Sequence, residues 1–247
     1  MRADPFAQLK LLDVQELDTR LDTLRHQVAN LPETAELRRL SAEIGELRAS
    51  EGALRTEVDD LTRDQRRADA DVEQVKARRA RDQQRLDSGA ITNPKDLERL
   101  QHELVSLDRR VSELEDAELE VMERLETAQA TLTDVRSRMQ QVATAGRELT
   151  TVREDRIAAI QSEAEKVTRE RSDAVAELPA ELVALYERLR QQKGGVGAAH
   201  LRARRCDGCS LELDSAELAR ISAQRSDEVV HCEECGRILV RSGESGL

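Results

Sequence analysis

Four cysteines, all near the C-terminus, carry the most specific chemistry in this chain of 247 residues. They form two CxxC pairs, Cys206 with Cys209 and Cys232 with Cys235. Thiolates at this spacing can converge in a tetrahedron around zinc, each about 2.3 Å from the metal. Four thiolates fill a tetrahedral shell and leave no open position for a substrate. The pattern therefore predicts one structural Zn²⁺ with all four cysteines as ligands.

Three other uses of these cysteines stay open at this point. Thioredoxin-like redox chemistry uses one CxxC beside a βαβ pattern, whereas this sequence has two pairs and no such pattern. Four cysteine thiolates can also hold an iron–sulfur cluster. A histidine, His200 or His231, could replace one thiolate, but His231 adjoins Cys232 in a predicted strand and would point to the opposite face.

The residues around the CxxC pairs predict a small zinc ribbon. Residues 228–231 and 237–241 are expected to pair as a β-hairpin around the second CxxC pair. Asp214 and Glu217 resemble a capping box at the start of a short helix. So small a segment has few apolar residues, and metal binding is expected to supply most of its stability. We therefore expect loss of the metal to unfold the ribbon while the helicity of the remaining chain stays nearly constant.

The rest of the chain has the pattern of long helices with one strong interruption, at residues 88–94. Gly89 can adopt the left-handed conformation that ends a helix, Asn93 is a good N-cap, and Pro94 suits the first helical turn. This local chemistry predicts the tip of a helical hairpin whose two arms have similar lengths.

Apolar residues recur every three or four positions in both arms, which is the pattern of a coiled-coil seam. The pattern breaks at Pro32 in the first arm and slips near Thr150 in the second. Both irregularities lie equally far from Ile91, so they would face each other in an antiparallel hairpin. An antiparallel homodimer could show the same matching. The sequence predicts a mainly α protein, with a long antiparallel coiled-coil hairpin followed by a small four-cysteine zinc ribbon.

The composition excludes several classes of protein. Aromatic residues make up 1% of the chain and charged residues 36%, which is typical of long helices with a narrow apolar seam. The N-terminal residues lack the apolar run of a signal peptide, and no segment is apolar enough to cross a membrane, so we expect a cytoplasmic protein. No arrangement of carboxylates or histidines suggests acid–base catalysis. We expect no enzymatic activity and no small-molecule substrate.

Two groups of basic residues are candidate contacts with a nucleic acid or a protein partner, although the net charge of −11 opposes indiscriminate binding to polyanions. A solvated coiled-coil surface is the alternative interpretation of the group at the tip. That group comprises Lys76, Arg78, Arg79, Arg81, Arg85, Lys95 and Arg99, and the second group, before the first CxxC pair, comprises Arg202, Arg204 and Arg205.

Several stretches together resemble a bacterial family of coiled-coil hairpin proteins with a C-terminal four-cysteine zinc ribbon. The resemblance implies the hairpin, the ribbon and the four cysteine ligands, and it covers nearly the whole chain. It is carried by the tip Ile91–Leu97 with Leu100–Glu103, by Leu185–Leu189 before Gly194 and Gly195, and by the two CxxC pairs with Gly236–Leu239.

Members of the family that this chain resembles are associated with binding partner proteins, notably the sigma-54 subunit of RNA polymerase, and with binding nucleic acid. The preferred hypothesis is therefore a non-enzymatic adaptor or chaperone, whose protein partner could belong to the transcription machinery. A nucleic-acid-binding zinc-ribbon regulator is the alternative hypothesis. The predicted domains are the hairpin at residues 1–178, a short helix with a glycine-rich joint at 179–197, and the zinc ribbon at 198–247.

Overall fold

A computed structural model describes every residue from Met1 to Leu247, and most of the chain is helical. No helix combines the length and the apolar character needed to cross a bilayer. The five helices are α1 (Pro5–Ala29), α2 (Pro32–Asp87), α3 (Pro94–Ala176), α4 (Ala180–Gln192) and α5 (Ser215–Ala223).

Four short strands form one sheet in the C-terminal region: β1 (Ala198–Arg202), β2 (Arg205–Cys206), β3 (Val230–His231) and β4 (Ile238–Val240). Their spatial order is β2-β1-β4-β3. The predicted hairpin around the second CxxC pair is present, because β3 and β4 pair antiparallel with His231 opposite Ile238. The sequence did not indicate β1, which runs parallel to β4 and antiparallel to β2.

The chain divides into two compact units, and the first to be described contains residues 35–150. Within it α2 and α3 form an antiparallel pair with a narrow apolar seam, in which Leu61, Leu125 and Ala128 make a buried cluster. Ion pairs join the two arms of the chain in antiparallel order. Examples are Glu43 with Arg138 at 2.6 Å, Glu51 with Arg136 at 2.9 Å, and Lys76 with Glu115 at 2.8 Å.

The turn between the arms uses the residues that the sequence indicated. Helix α2 ends at Asp87 and α3 begins at Pro94. Gly89 has φ 68°, in the left-handed region that favours glycine. The Asn93 side chain accepts a hydrogen bond from the Lys95 amide at 3.1 Å, which satisfies one free donor at the start of α3.

The second unit contains residues 1–34 and 151–247, so the first helix is grouped with the ribbon. Pro32 lies at the first position of α2, whereas α3 continues without a break past Thr150. The predicted boundary at residue 178 differs from this grouping for a physical reason. Leu11 and Val14 of α1 and Leu182 of α4 share one buried cluster with strand residues of the ribbon, including Ile238.

The N-terminal residues are also joined to the ribbon through the backbone. The Ala3 amide donates to the Asp227 carbonyl at 2.8 Å, and the Val229 amide donates to the Met1 carbonyl at 3.1 Å. Nothing in the sequence pattern had indicated this pairing, which depends on contacts between the two ends of the chain.

A buried charge network joins α1, α3 and α4. Asp18 is 2% exposed and accepts hydrogen bonds from Arg171 Nε at 2.7 Å and from the Tyr186 hydroxyl at 2.7 Å. Arg190 Nε lies 3.4 Å from the same carboxylate, and Arg190 Nη2 donates to Asp22 at 2.7 Å. Burial, together with the hydrogen bond to Asp18, raises the pKa of Tyr186 well above its usual value. The hydroxyl is therefore a permanent donor to Asp18 at neutral pH.

Gly197, at the junction between α4 and β1, is a position where a side chain cannot fit. A Cβ there would meet the Tyr186 carbonyl oxygen at 2.7 Å and the Arg190 amide nitrogen at 3.0 Å. The Gly197 amide also donates to the buried Gln15 side chain at 2.8 Å. The close approach lets α4 and β1 pack together.

We expect Gly197→Ala to lower the free energy of unfolding of this unit by about 1–3 kcal/mol, because backbone atoms must move to accommodate the methyl group. The measurement is urea unfolding followed by the fluorescence of Tyr186, the only tyrosine in the chain. Gly243→Ala is the matched control, since its Cβ would meet nothing within 4 Å. Equal effects of the two substitutions would contradict the steric explanation.

Candidate metal centre and contact surfaces

The four cysteines meet at one place in the ribbon. Their sulfur atoms all lie within 4.8 Å of one another, with Cys206 Sγ 3.9 Å from Cys235 Sγ and Cys209 Sγ 3.9 Å from Cys232 Sγ. Thiolates placed tetrahedrally at about 2.3 Å from zinc would be about 3.8 Å apart. The arrangement of the sulfurs therefore fits one structural zinc ion held by all four cysteines.

Two tight turns place the sulfurs. In the first CxxC turn the Ser210 amide donates to the Cys206 carbonyl at 2.7 Å, and in the second the Gly236 amide donates to the Cys232 carbonyl at 2.8 Å. A Cβ at Gly208 would lie 2.7 Å from Arg237 Cδ and 2.9 Å from Ala199 Cβ, so a larger residue there would force these side chains to shift. Gly236 has φ 73°, a conformation that glycine adopts without strain.

Arg237 connects the metal centre to the end of α4. Its guanidinium donates to the Val196 carbonyl and to the Lys193 carbonyl, both at 3.0 Å. Burial raises the pKa of Cys235, but hydrogen bonds from the backbone and side chain of Arg237 outweigh it and leave that pKa at about 7. Arg237, which the Val196 and Lys193 carbonyls hold in place, thus favours the thiolate form of Cys235.

The pKa values of the Cys206 and Cys232 thiols are shifted in the opposite direction when no zinc is bound. Burial raises the pKa of Cys232 to about 11 and raises that of Cys206 further. Since zinc binds the thiolate, its binding must displace these protons. Zinc affinity is therefore expected to fall as the pH falls.

Neither histidine belongs to the sulfur cluster. The group that could hold a metal contains only the four cysteines. His231 Nδ1 lies 3.3 Å from the Gly236 carbonyl oxygen, and His200 Nδ1 is buried without a hydrogen-bond partner. The all-cysteine ligand set is the one that the geometry supports.

Helix α5 lies between the two CxxC pairs and uses only half of the expected capping box. The Asp214 side chain accepts from the Glu217 amide at 2.7 Å, as an N-cap residue does. The Glu217 carboxylate does not return the bond to Asp214. It is 5% exposed and accepts instead from the Glu233 amide at 3.0 Å, so it ties α5 to the second CxxC turn.

The structure ties the three arginines before the first CxxC pair to the ribbon itself. Arg202 Nε lies 3.2 Å from Glu244 and 3.8 Å from Asp207. Arg204 donates to the Gly246 carbonyl at 3.2 Å, and Arg205 donates to the Ser210 carbonyl at 2.8 Å. Their role as contacts for a nucleic acid or partner stays a prediction.

Most of the basic residues at the tip also have acidic partners. Only Arg81 and Lys95 make no ion pair. Lys76, Arg78 and Arg79 pair across the arms with Glu115, Glu103 and Asp108, while Arg85 and Arg99 lie 3.6 Å and 3.7 Å from Asp82 and Asp96.

The sequence pattern did not indicate the exposed apolar residues in the N-terminal half of α3. Val105 is 52% exposed, Leu119 56% and Met122 41%. Val105 and Leu119 are about four helical turns apart and share one face, and Met122 lies one turn beyond Leu119. A signal of their exposure was nevertheless present in the sequence, because these residues lie beside the seam positions rather than on them.

Comparisons with known proteins agree with both parts of the structure. Residues 14–194 match the CT398-like coiled coil hairpin domain, and residues 205–239 match the C4-type zinc ribbon domain. The uncharacterized protein Rv2229c of Mycobacterium tuberculosis is 38% identical over 241 residues, covering 98% of each chain.

The solved structures that resemble this one include one from Mycobacterium smegmatis and one from Chlamydia trachomatis. A structure from Mycobacterium smegmatis has a TM-score of 0.81 and 34% identity, and the alignment covers 98% of this chain and 100% of that one. CT398 from Chlamydia trachomatis has a TM-score of 0.66 and 19% identity, with coverage of 94% and 96%. The second likeness shows a shared fold alone.

Proposed function

Since this chain belongs to the family of CT398-like coiled-coil hairpin proteins with a C4-type zinc ribbon, we propose that it is a non-enzymatic adaptor that binds a protein partner. In this proposal α3 supplies the contact surface, and the zinc stabilises the ribbon without taking part in a reaction. Proteins of the transcription machinery are the first partners to look for.

The observation that carries the proposal is the exposure of Val105, Leu119 and Met122 within one stretch of α3, most of whose other apolar residues face the seam. Neighbouring exposed apolar side chains with polar residues around them mark surfaces where proteins bind one another, and Met is enriched at such surfaces. The pairing of most tip cations with acids favours the same conclusion, because paired cations attract phosphate weakly.

Nucleic-acid binding is the second candidate, and one observation favours it. Arg81 and Lys95 have no acidic partner, and an open cavity of about 420 Å³ at the tip is lined in part by Arg85 and Arg99. Binding through these cations would weaken steeply with salt, and Arg81→Ala with Lys95→Ala would reduce that dependence.

We expect the tagged full-length chain to capture a defined protein from a lysate of its native host, in equal amounts with and without nuclease treatment. The reason is that apolar contacts on α3 do not require a nucleic acid. Bound protein and bound nucleic acid are both quantified in each half of the lysate.

The same experiment can overturn the adaptor proposal. If the captured proteins disappear after nuclease treatment, and RNA or DNA accounts for the bound material, nucleic-acid binding is the function. Capture of neither protein nor nucleic acid above the level of an untagged control would contradict both candidates.

A further inference from the structure

We propose that residues 116–126 of α3 form a docking site for a basic amphipathic helix of the partner protein, an inference that rests on the proposed function. The site, called the acidic apolar patch, consists of Leu119 and Met122 with the carboxylates Asp116, Glu123 and Glu126.

The spacing of the patch residues makes them neighbours on one helical surface. On an α-helix, residues three or four positions apart lie side by side. Leu119 is therefore flanked by Asp116, Met122 and Glu123, and Met122 is flanked by Leu119 and Glu126. Each exposed apolar side chain has acidic groups around it, as an anchor position has a polar rim.

The carboxylates of the patch lack partners of their own. Asp116, Glu123 and Glu126 are exposed, and none of them makes an ion pair. Residues 112–126 contain seven acidic residues and only one base, Arg124. Of the seven, only Glu113 and Glu115 are paired, with Arg110 and Lys76. Most of the carboxylates in this stretch of α3 are thus unpaired.

A shallow groove of about 360 Å³ adjoins the patch at Glu123. It is lined by Leu54 of α2, Ala128 of α3 and polar or charged residues of both arms. A helix lying on the patch could place further side chains in this groove, as amphipathic helices do when they insert anchors into a surface depression.

The chemistry of the patch selects one kind of occupant. A nucleic acid is repelled by the carboxylates. A partner helix with apolar residues at intervals of three and four and Lys or Arg beside them would match both the apolar centre and the acidic rim. A second copy of this chain, whose net charge is −11, is opposed by like charge.

The test uses the full-length chain and a fluorescent 18-residue peptide with leucine on one helical face and lysine on the other. Leu119→Glu with Met122→Glu should weaken binding of this probe at least ten-fold, because it places charge at the anchor positions. Glu123→Lys with Glu126→Lys should also weaken it, more strongly at low salt than at high salt.

The matched control is Val152→Glu, which places the same charge at another exposed apolar residue of α3, 52% exposed. The rim of Val152 is less acidic, because its charged helical neighbours are Glu148, Asp155 and the base Arg156, whereas no base lies three or four positions from Leu119. We expect this control to bind the peptide with the affinity of the wild type. All variants should keep the helicity of the wild type. An equal loss of peptide affinity in all three variants, or no loss in any of them, would overturn the proposal.

The same variants separate this inference from the proposed function. If the full-length chain captures a nuclease-resistant partner that the Leu119→Glu, Met122→Glu variant retains in full, the docking site is wrong and the adaptor proposal stands. If the peptide distinguishes the variants but the host lysate yields no protein, the adaptor proposal fails and the chemistry of the patch stands. If the captured protein is a second copy of this chain, and its capture survives nuclease treatment, the proposal of a basic partner helix on the patch is wrong.

Discussion

Cys206→Ser is expected to abolish zinc binding and to unfold the whole C-terminal ribbon. Structural zinc contributes about 10–16 kcal/mol in zinc-finger peptides, and the ribbon has too few apolar residues to replace that contribution. The wild-type chain should contain one zinc per molecule and the variant none, as measured by elemental analysis after gel filtration.

The structure changes what this unfolding should do to the helices. Leu11 of α1 and Leu182 of α4 share a buried cluster with the ribbon residues Ile238 and Val240. Loss of the ribbon exposes their apolar faces, so α1 and α4 should lose protection from amide hydrogen exchange. The part of the hairpin at residues 35–150 has its own seam and should keep its protection.

His231→Ala is the matched control for the zinc prediction, because His231 adjoins Cys232 but lies outside the sulfur cluster. It should keep one zinc per chain and the exchange protection of the wild type. Loss of zinc from this control would mean that a histidine belongs to the ligand set. A folded, protected ribbon in Cys206→Ser would mean that the sheet is stable without metal.

Asp18→Asn is expected to lower the free energy of unfolding of the unit that contains α1 and the ribbon by about 3–5 kcal/mol, the usual cost of removing one member of a buried ion pair. The substitution keeps the size of the side chain but removes the charge that compensates Arg171 and Arg190. Urea unfolding followed by Tyr186 fluorescence measures the effect, because the chain has one tyrosine and no tryptophan.

Asp22→Asn provides the comparison for this prediction. Asp22 also pairs with Arg190, but its side chain is 40% exposed, and exposed ion pairs contribute about 0–1 kcal/mol. A loss for Asp18→Asn no larger than the loss for Asp22→Asn would show that the buried network contributes little to stability.

The features that could be predicted from the sequence are those set by local chemistry. The CxxC pairs predicted the metal ligands because zinc coordination requires particular residue types at close spacing. The turn at residues 88–93 was predictable because Gly89, Asn93 and Pro94 each have a strong conformational preference. The seam followed from the spacing of leucine and valine along the arms.

The features that were missed depend on contacts between residues far apart in the chain. Strand β1 has no hairpin partner nearby except the short β2, and its parallel pairing with β4 has no turn signature. The packing of α1 on the ribbon joins the two ends of the chain. Asp18 looked like one more surface carboxylate, because its burial depends on Arg171 and Tyr186.

The ion-pair partners of the basic residues at the tip could not be predicted for a different reason. A run of Lys and Arg in a sequence is compatible with a phosphate site or with ion pairs inside a coiled coil, since both use the same side chains. Lys76, Arg78 and Arg79 pair with acids of the opposite arm, which are distant in sequence. The exposure of Leu119 was also not predicted, because it depends on the rotation of α3 relative to the seam.

If the protein is an adaptor as proposed, the surface of α3 around Leu119 binds its protein partner. The most direct test places a photo-crosslinking amino acid at position 119, and at position 152 as a control, in the full-length chain expressed in its native host. We expect a nuclease-resistant protein adduct at position 119, at least ten-fold stronger than at position 152, whose crosslinked peptide is rich in Lys and Arg. Equal adducts at the two positions, or an adduct with nucleic acid at position 119, would contradict the proposal.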